Sequence, residues 1–447
     1  MQISAPDISR ASALRAAYAR GLSPHAVVDA VLERLATRGD DGVWISRFDA
    51  AALHARAAAI EDRWASGARP PLYGVPFAIK DNIDVVGLPT TAACPAFGYS
   101  PAVDATSARL LLDAGAIAVG KTNLDQFATG LNGTRSPYGA PESVFGGDLI
   151  SGGSSSGSAV AVAAGVVAFA LGTDTAGSGR VPAAMNGIVG LKPTRGLVST
   201  AGVVPACRSL DCVSVFASDL DDARLVLSVL AAPDPADPWS RVPRSPTRRV
   251  EMHDSPVVGV PVDVGLRDQG FADAFRGVVD RLDAELVPVP LDPLIEAGDL
   301  LYDGPWVAER LAGLAGFLAE HPDDVLPVTR AVIERGREFD AVTTFRARHR
   351  LQELRAWTER LWARIDVLLL PTIPTTFTRA ELAEEPVARN RTLGRFTQFT
   401  NLLDLAAVAV PAGTTADGRS FGVTAFGPAF AEDRLISAAH ELITEAG

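Results

Sequence analysis

From residue 8 to residue 37 apolar positions recur every three to four residues, which predicts two amphipathic helices. Ser23 is placed to cap the second and Pro24 to open it. An alanine-rich stretch over residues 50–65 predicts another helix. The rhythm then changes. Between Tyr73 and Pro205 the chain is rich in Gly, Ser, Thr and Pro and is crossed by short apolar runs. Residues 75–79, 116–120 and 167–171 read as buried strands, with helices at 106–113 and 158–164. This alternation predicts an α/β fold with a largely covered sheet.

Beyond residue 205 the pattern predicts a helix at 220–231, a strand at 257–262 and a helix at 271–286. Between the first two, residues 233–249 are polar and hold five prolines, a surface loop. Residues 328–365 form a long helical stretch broken near Gly336. An apolar strand at 367–370 runs into a Pro-Thr-Ile-Pro turn at 371–374, and 402–410 is a further apolar run. No repeat is evident and no linker is long enough to separate domains. One domain over residues 1–447 is expected, its helical N-terminal part ending at about residue 65.

Composition narrows the function. Of 447 residues, 47% are hydrophobic and 21% charged, which suits a protein with a sizeable core. A net charge of -12 disfavours a nucleic-acid partner and gives no reason to expect an anionic membrane surface. It leaves a small anionic substrate open, because local residues read such a molecule. The longest apolar stretch, 159–171, is short of the roughly 20 residues that a membrane span needs. The first ten residues lack a signal-peptide pattern. Cys94, Cys207 and Cys212 are odd in number and form no Cys-x-x-Cys, so neither a disulfide framework nor a zinc site is expected. A reducing cytoplasm fits them. No cofactor or metal is expected.

Two local patterns mimic known chemistry. Gly115-x4-Gly120-Lys121-Thr122 fits a phosphate loop, yet the helix precedes it and residues 116–119 are strand-like, the reverse of the order that such a loop needs. Gly153-Ser-Ser155-Ser-Gly157 fits a nucleophile elbow, which needs a strand before it and a late histidine. The preceding residues 143–151 are loop-like, and His440 sits in a helical tail of ordinary composition. A denser pattern is Ser151-Gly-Gly-Ser-Ser-Ser-Gly-Ser158, then Leu171-Gly-Thr-Asp-Thr-Ala-Gly-Ser-Gly-Arg-Val-Pro182, then Gly187-Ile-Val-Gly-Leu-Lys-Pro-Thr194, with Gly74-Val-Pro-Phe-Ala-Ile-Lys-Asp-Asn82 upstream. Interleaved apolar strands separate these segments from a flexible Gly/Ser linker.

These segments, with Asp366-Val-Leu-Leu-Leu-Pro-Thr372 and Phe399-Thr-Asn-Leu-Leu-Asp404, resemble the amidase signature family over nearly the whole chain. The resemblance implies a mixed central β-sheet covered on both faces by helices. It also implies a Ser-Ser-Lys triad: Ser178 as nucleophile, Ser154 as relay and Lys80 as base, with Lys80 and Ser154 74 residues apart and Ser154 and Ser178 24 apart. A serine hydroxyl needs a base, and none of the six histidines lies in the motif region. A lysine serves only when neutral, and burial in the run 75–79 would lower its pKa. In the family the relay serine follows a cis peptide bond. The amides of Thr175, Ala176, Gly177 and Ser178 would form the oxyanion hole.

Within that family, Pro89-Thr-Thr-Ala-Ala-Cys-Pro95, Asn123-Leu-Asp-Gln-Phe-Ala-Thr-Gly-Leu131, Val204-Pro-Ala-Cys-Arg-Ser-Leu-Asp-Cys212 and Leu301-Tyr-Asp-Gly-Pro-Trp-Val-Ala-Glu-Arg310 resemble the allophanate hydrolases. That likeness implies that Tyr302 and Arg310 hold the carboxylate of allophanate. Eight residues apart, they would face one pocket from a single helix. It also implies that the backbone carbonyl of Ala128 serves the amide nitrogen or the triad. The expected products are N-carboxycarbamate and ammonia. A homodimer and a functional association with urea carboxylase follow from the same likeness. Longer members carry a C-terminal domain that assists decarboxylation, and a chain ending at Gly447 is expected to lack it. The alternatives are another amidase, an amidotransferase A-type subunit, or an inactive scaffold subunit; the intact Lys80, Ser154 and Ser178 speak against the last.

Overall fold

The computed structural model describes residues 7–243 and 256–441. The expected loop at 233–249 lies outside the described residues from 244 onward, as do residues 1–6 at the N-terminus. Among the described residues, eleven strands form one sheet. In chain order they are β1 (Trp44–Arg47), β2 (Pro76–Lys80), β3 (Ile117–Thr122), β4 (Phe169–Thr173), β5 (Val189–Lys192), β6 (Val213–Ala217), β7 (Val257–Pro261), β8 (Glu285–Val289), β9 (Val367–Pro371), β10 (Leu405–Thr414) and β11 (Ser420–Pro428). Their order across the sheet is β1-β3-β2-β4-β6-β5-β10-β11-β9-β7-β8.

The sheet is mixed. β3, β2 and β4 run parallel to one another, as do β9, β7 and β8, and antiparallel pairs join the two groups. Parallel strands need crossovers, and the expected helices supply them: Thr106–Asp113 between β2 and β3, and Ser156–Ala163 between β3 and β4. β2, β3, β4, β5, β6 and β9 are buried at every residue, as strands covered on both faces must be. The apolar stretch 159–171 is no single element, because it divides between the helix Ser156–Ala163 and β4.

Local signals placed several elements well. The Ser23 hydroxyl accepts from the Ala26 amide at 3.2 Å and Pro24 opens the helix Pro24–Arg38. The long C-terminal helical stretch breaks at a 3-10 turn over Arg335–Glu338, as Gly336 suggested. One expectation fails. The helix expected at 271–286 ends at Val279, and Glu285 and Leu286 belong to β8. Val278, Leu282 and Leu286 keep a helical spacing in the sequence, but pairing with β7 claims the last of them. Strands β1, β5, β6, β8 and β11 were not expected from the pattern. β5 has only four residues, too few to show a period.

Candidate active site

Three adjacent parallel strands end at the same edge, so the residues that leave them converge there. β2 ends in Lys80 and β4 in Thr173, and their register pairs Ile79 with Leu171. Lys80 is therefore level with the end of its neighbour. Its Nζ donates to Thr173 Oγ1 at 2.8 Å and to Ser154 Oγ at 2.7 Å. The side chain is fully buried. Burial brings the Lys80 pKa down to about 7, although Asp125, Asp211 and Asp174 oppose the change. Asn82 Nδ2 also reaches Thr173 Oγ1, at 3.4 Å.

Ser154 lies just before the helix Ser156–Ala163, and the Gly153–Ser154 peptide bond is cis. Asp125, from the loop after β3, holds this turn. Its amide donates to the Ser154 carbonyl at 3.0 Å, and its carboxylate accepts from the amides of Asn132, Gly133 and Arg135. Ser155, the centre of the elbow pattern, donates instead to the Thr173 carbonyl at 3.2 Å. His440 stands exposed at the end of the last helix. Lys121 of the phosphate-loop pattern is a buried strand residue paired with Asp81 at 3.1 Å. Neither decoy has the geometry that its chemistry needs.

Ser178 sits in the turn after β4, nearly buried. The turn is wrapped around the Asp174 carboxylate, which accepts from the amides of Gly177 and Gly179 and from Arg180 Nε and Nη2. Burial pushes the Asp174 pKa up, and Arg180, with Lys192 and the Gly179 amide, more than offsets it, so the group lies below the usual carboxylate value. Thr397 Oγ1 donates to the Ala176 carbonyl at 2.8 Å, and Asn401 Nδ2 to the carbonyls of Asp174 and Thr175. Thr175 Oγ1 donates to Asp211 at 2.6 Å, where burial raises that carboxyl to about 6. Gly177 has φ +135°, and a Cβ there would lie 2.3 Å from Thr397 Oγ1, so only glycine fits.

Of the four amides expected to form an oxyanion hole, one already has a partner in this turn. The Gly177 N–H is committed to Asp174 Oδ1 at 2.7 Å. Three of the four amides, those of Thr175, Ala176 and Ser178, are thus without a protein acceptor among the described residues.

The expected single helix under Tyr302 and Arg310 is two. Tyr302 ends the helix Asp292–Tyr302, and Arg310 lies in the helix Trp306–Glu320. Asp303, Gly304 and Pro305 separate them; Pro305 has no N–H to continue the first helix. The two side chains still meet: Arg310 Cζ lies 5.4 Å from the Tyr302 ring centre. Arg310 is only 2% exposed. Its Nη1 donates to Thr129 Oγ1 at 2.8 Å and to the Ala128 carbonyl at 3.4 Å. Its Nη2 is buried with no partner among the described residues. Ala128 itself, at φ +52°, turns its carbonyl toward Arg310. Thr173, Asp125, Asp174, Asp211 and Thr129 were not singled out from the sequence. All except Thr173 and Thr129 are acidic residues inside the quoted motifs, which is the signal that could have marked them.

Comparison with known proteins agrees with this architecture. A family profile described as Amidase matches residues 26–436. The urea amidolyase of Lachancea kluyveri is 45% identical over 409 residues, covering 90% of this chain and 22% of that protein. The chain thus spans about a fifth of the length of that relative. A glutamyl-tRNA(Gln) amidotransferase subunit from Natronomonas pharaonis is 35% identical, covering 83% of this chain and 96% of that protein. Among solved structures, Kluyveromyces lactis allophanate hydrolase superimposes with a TM-score of 0.91 at 40% identity, covering 97% of this chain and 72% of that one. With the profile spanning most of its length and its motifs meeting at one sheet edge, this chain belongs to the amidase family.

Proposed function

We propose that the chain hydrolyses the terminal amide of allophanate (urea-1-carboxylate) to N-carboxycarbamate and ammonia. The observation that carries this reading is the buried Nη2 of Arg310, which has no partner among the described residues. A buried guanidinium nitrogen left open is costly unless a ligand fills it. A carboxylate matches it, with the Tyr302 ring against the same guanidinium.

In the proposed reaction neutral Lys80 takes the proton of Ser154, which takes that of Ser178. The Ser178 oxygen bonds to the terminal carbonyl carbon. The amides of Thr175, Ala176 and Ser178 receive the developing oxyanion. The C–N bond breaks as the nitrogen regains a proton along the same relay, and ammonia leaves. Water, deprotonated by the same path, cleaves the acyl ester and restores Ser178. The Lys80–Ser154 hydrogen bond and a Lys80 pKa near 7 support this assignment of roles. The Ala128 carbonyl, already beside Arg310, would orient the substrate amide. Allophanate arises by carboxylation of urea, so the enzyme would work beside a urea carboxylase. The likeness to urea amidolyase supports that partnership. A homodimer in a reducing cytoplasm completes the proposal; Cys94, Cys207 and Cys212 are free and buried.

The test is ammonia release from allophanate and from biuret, where a neutral amide replaces the carboxylate. Arg310→Ala should lower kcat/KM for allophanate by roughly 30- to 5,000-fold, the effect of truncating one partner of a desolvated pair. Biuret turnover should change little. Tyr302→Phe should act in the same direction but more weakly. Equal losses on both substrates would remove the carboxylate-reading role and favour another amidase specificity.

A further inference from the structure

A cavity of about 540 Å³ lies on the outer side of the helix Trp306–Glu320. Trp306 and Glu309 line it, whereas the next residue, Arg310, is buried and bonds to Thr129. The helix therefore stands between this cavity and the proposed substrate site. Arg195, Arg348, Arg355 and Trp239 are among the other residues that line the cavity.

Its charge is unbalanced. Arg195 shares Asp404 with Arg241, at 3.1 and 2.7 Å. Arg348 and Arg355 make no ion pair among the described residues, and Arg355 donates only through Nε, to the Leu402 carbonyl. Arg195 Nε is buried without a hydrogen-bond partner. Glu309 is engaged by neutral donors, the Ser209 amide and hydroxyl and Cys207 Sγ. Burial lowers the Arg355 pKa, and Arg195, Arg241 and Arg348 lower it further against the opposition of Asp404. Two guanidinium groups without an ion pair among the described residues thus face one cavity in a chain of net charge -12. Beside them stand two indoles, that of Trp239 being 43% exposed.

From this geometry we infer a second ligand site, for a small organic anion that joins a flat ring to a phosphate or carboxylate. Guanidinium groups bind either anion in a planar fork, and indoles stack on flat rings. The volume falls within the range of pockets that enclose small molecules.

The full chain carrying Arg310→Ala, which disables the proposed carboxylate site, is titrated with four probes. They are AMP, benzoate, inorganic phosphate and adenosine, followed by tryptophan fluorescence and calorimetry. AMP or benzoate should bind saturably and at least tenfold more tightly than phosphate or adenosine. AMP ahead of benzoate assigns a phosphate ester, and the reverse assigns a carboxylate. Arg348→Ala and Arg355→Ala should each weaken binding by roughly tenfold or more. Arg348 is exposed, so its variant keeps the test open even where Arg355→Ala does not fold. Absence of saturable binding, equal binding of phosphate or adenosine, or affinity unchanged in the folded arginine variants would overturn the inference.

Discussion

A lysine accepts a proton near neutral pH only where its surroundings penalise its charge. Lys80 meets that condition because β2 carries it into a fully buried position whose direct partners are two hydroxyls. The pH profile of kcat/KM should rise with an apparent pKa near 7, as Lys80 loses its proton. The sign for stability follows from the same change. Between pH 7 and about 10.5 the unfolded chain holds the proton that the folded chain has released, so this group's contribution to stability grows as pH rises through that window. Lys80→Arg cannot deprotonate and should be nearly inactive; an active Lys80→Arg enzyme would place the base elsewhere. Ser178→Ala should cost on the order of 10⁴-fold in kcat with the circular dichroism spectrum unchanged. Ser154→Ala should be severe but leave more rate, because a water can take the place of one relay hydroxyl. If Ser155→Ala proved worse than both, the elbow reading would return.

At the scale of an element, the turn after β4 is held around Asp174, which accepts from the Gly177 and Gly179 amides and from Arg180. The Asp174–Arg180 pair lies fully buried, and Thr397 and Asn401 hold the carbonyls on the other side. Gly177 is the position where this arrangement has no tolerance. Gly177→Ala combines an unfavourable φ with a clash against Thr397, a cost of about 1–3 kcal/mol. Differential scanning calorimetry should show a lower Tm, and kcat should fall because the neighbouring Ser178 and the amide donors are displaced. An unchanged Tm and kcat would mean that the turn is not held as described. The sequence made this turn recognisable, since its Gly-Ser-Gly core and flanking apolar strand are local features. Its partners were not legible, because Thr397 and Asn401 lie more than 200 residues away in the chain.

At the scale of the whole molecule, distant segments supply what local sequence lacks. The first described helix, Ala11–Ala19, begins after Arg10, which offers no side-chain cap. Asp222 supplies it from 211 residues away, accepting from the Ala11 amide at 2.6 Å and the Ser12 amide at 3.0 Å. Asp222→Ala should therefore destabilise the fold by about 0.5–2 kcal/mol, the usual cost of a lost cap. Denaturant unfolding measures this, and a loss confined to the helix Leu220–Leu230 would show that Asp222 serves only its own helix. The sequence by itself determined what depends on near neighbours: the Ser23 cap and Pro24 start of one helix, the buried strands around Lys80, the break near Gly336 and the order of the motifs. Tertiary structure alone decided the sheet order, the end of the helix at Val279, the split between Tyr302 and Arg310, and the commitment of the Gly177 amide to Asp174. The reason is physical. Periodicity and turn chemistry act over a few residues, whereas strand pairing and buried hydrogen bonds are chosen among all segments that the chain can bring together.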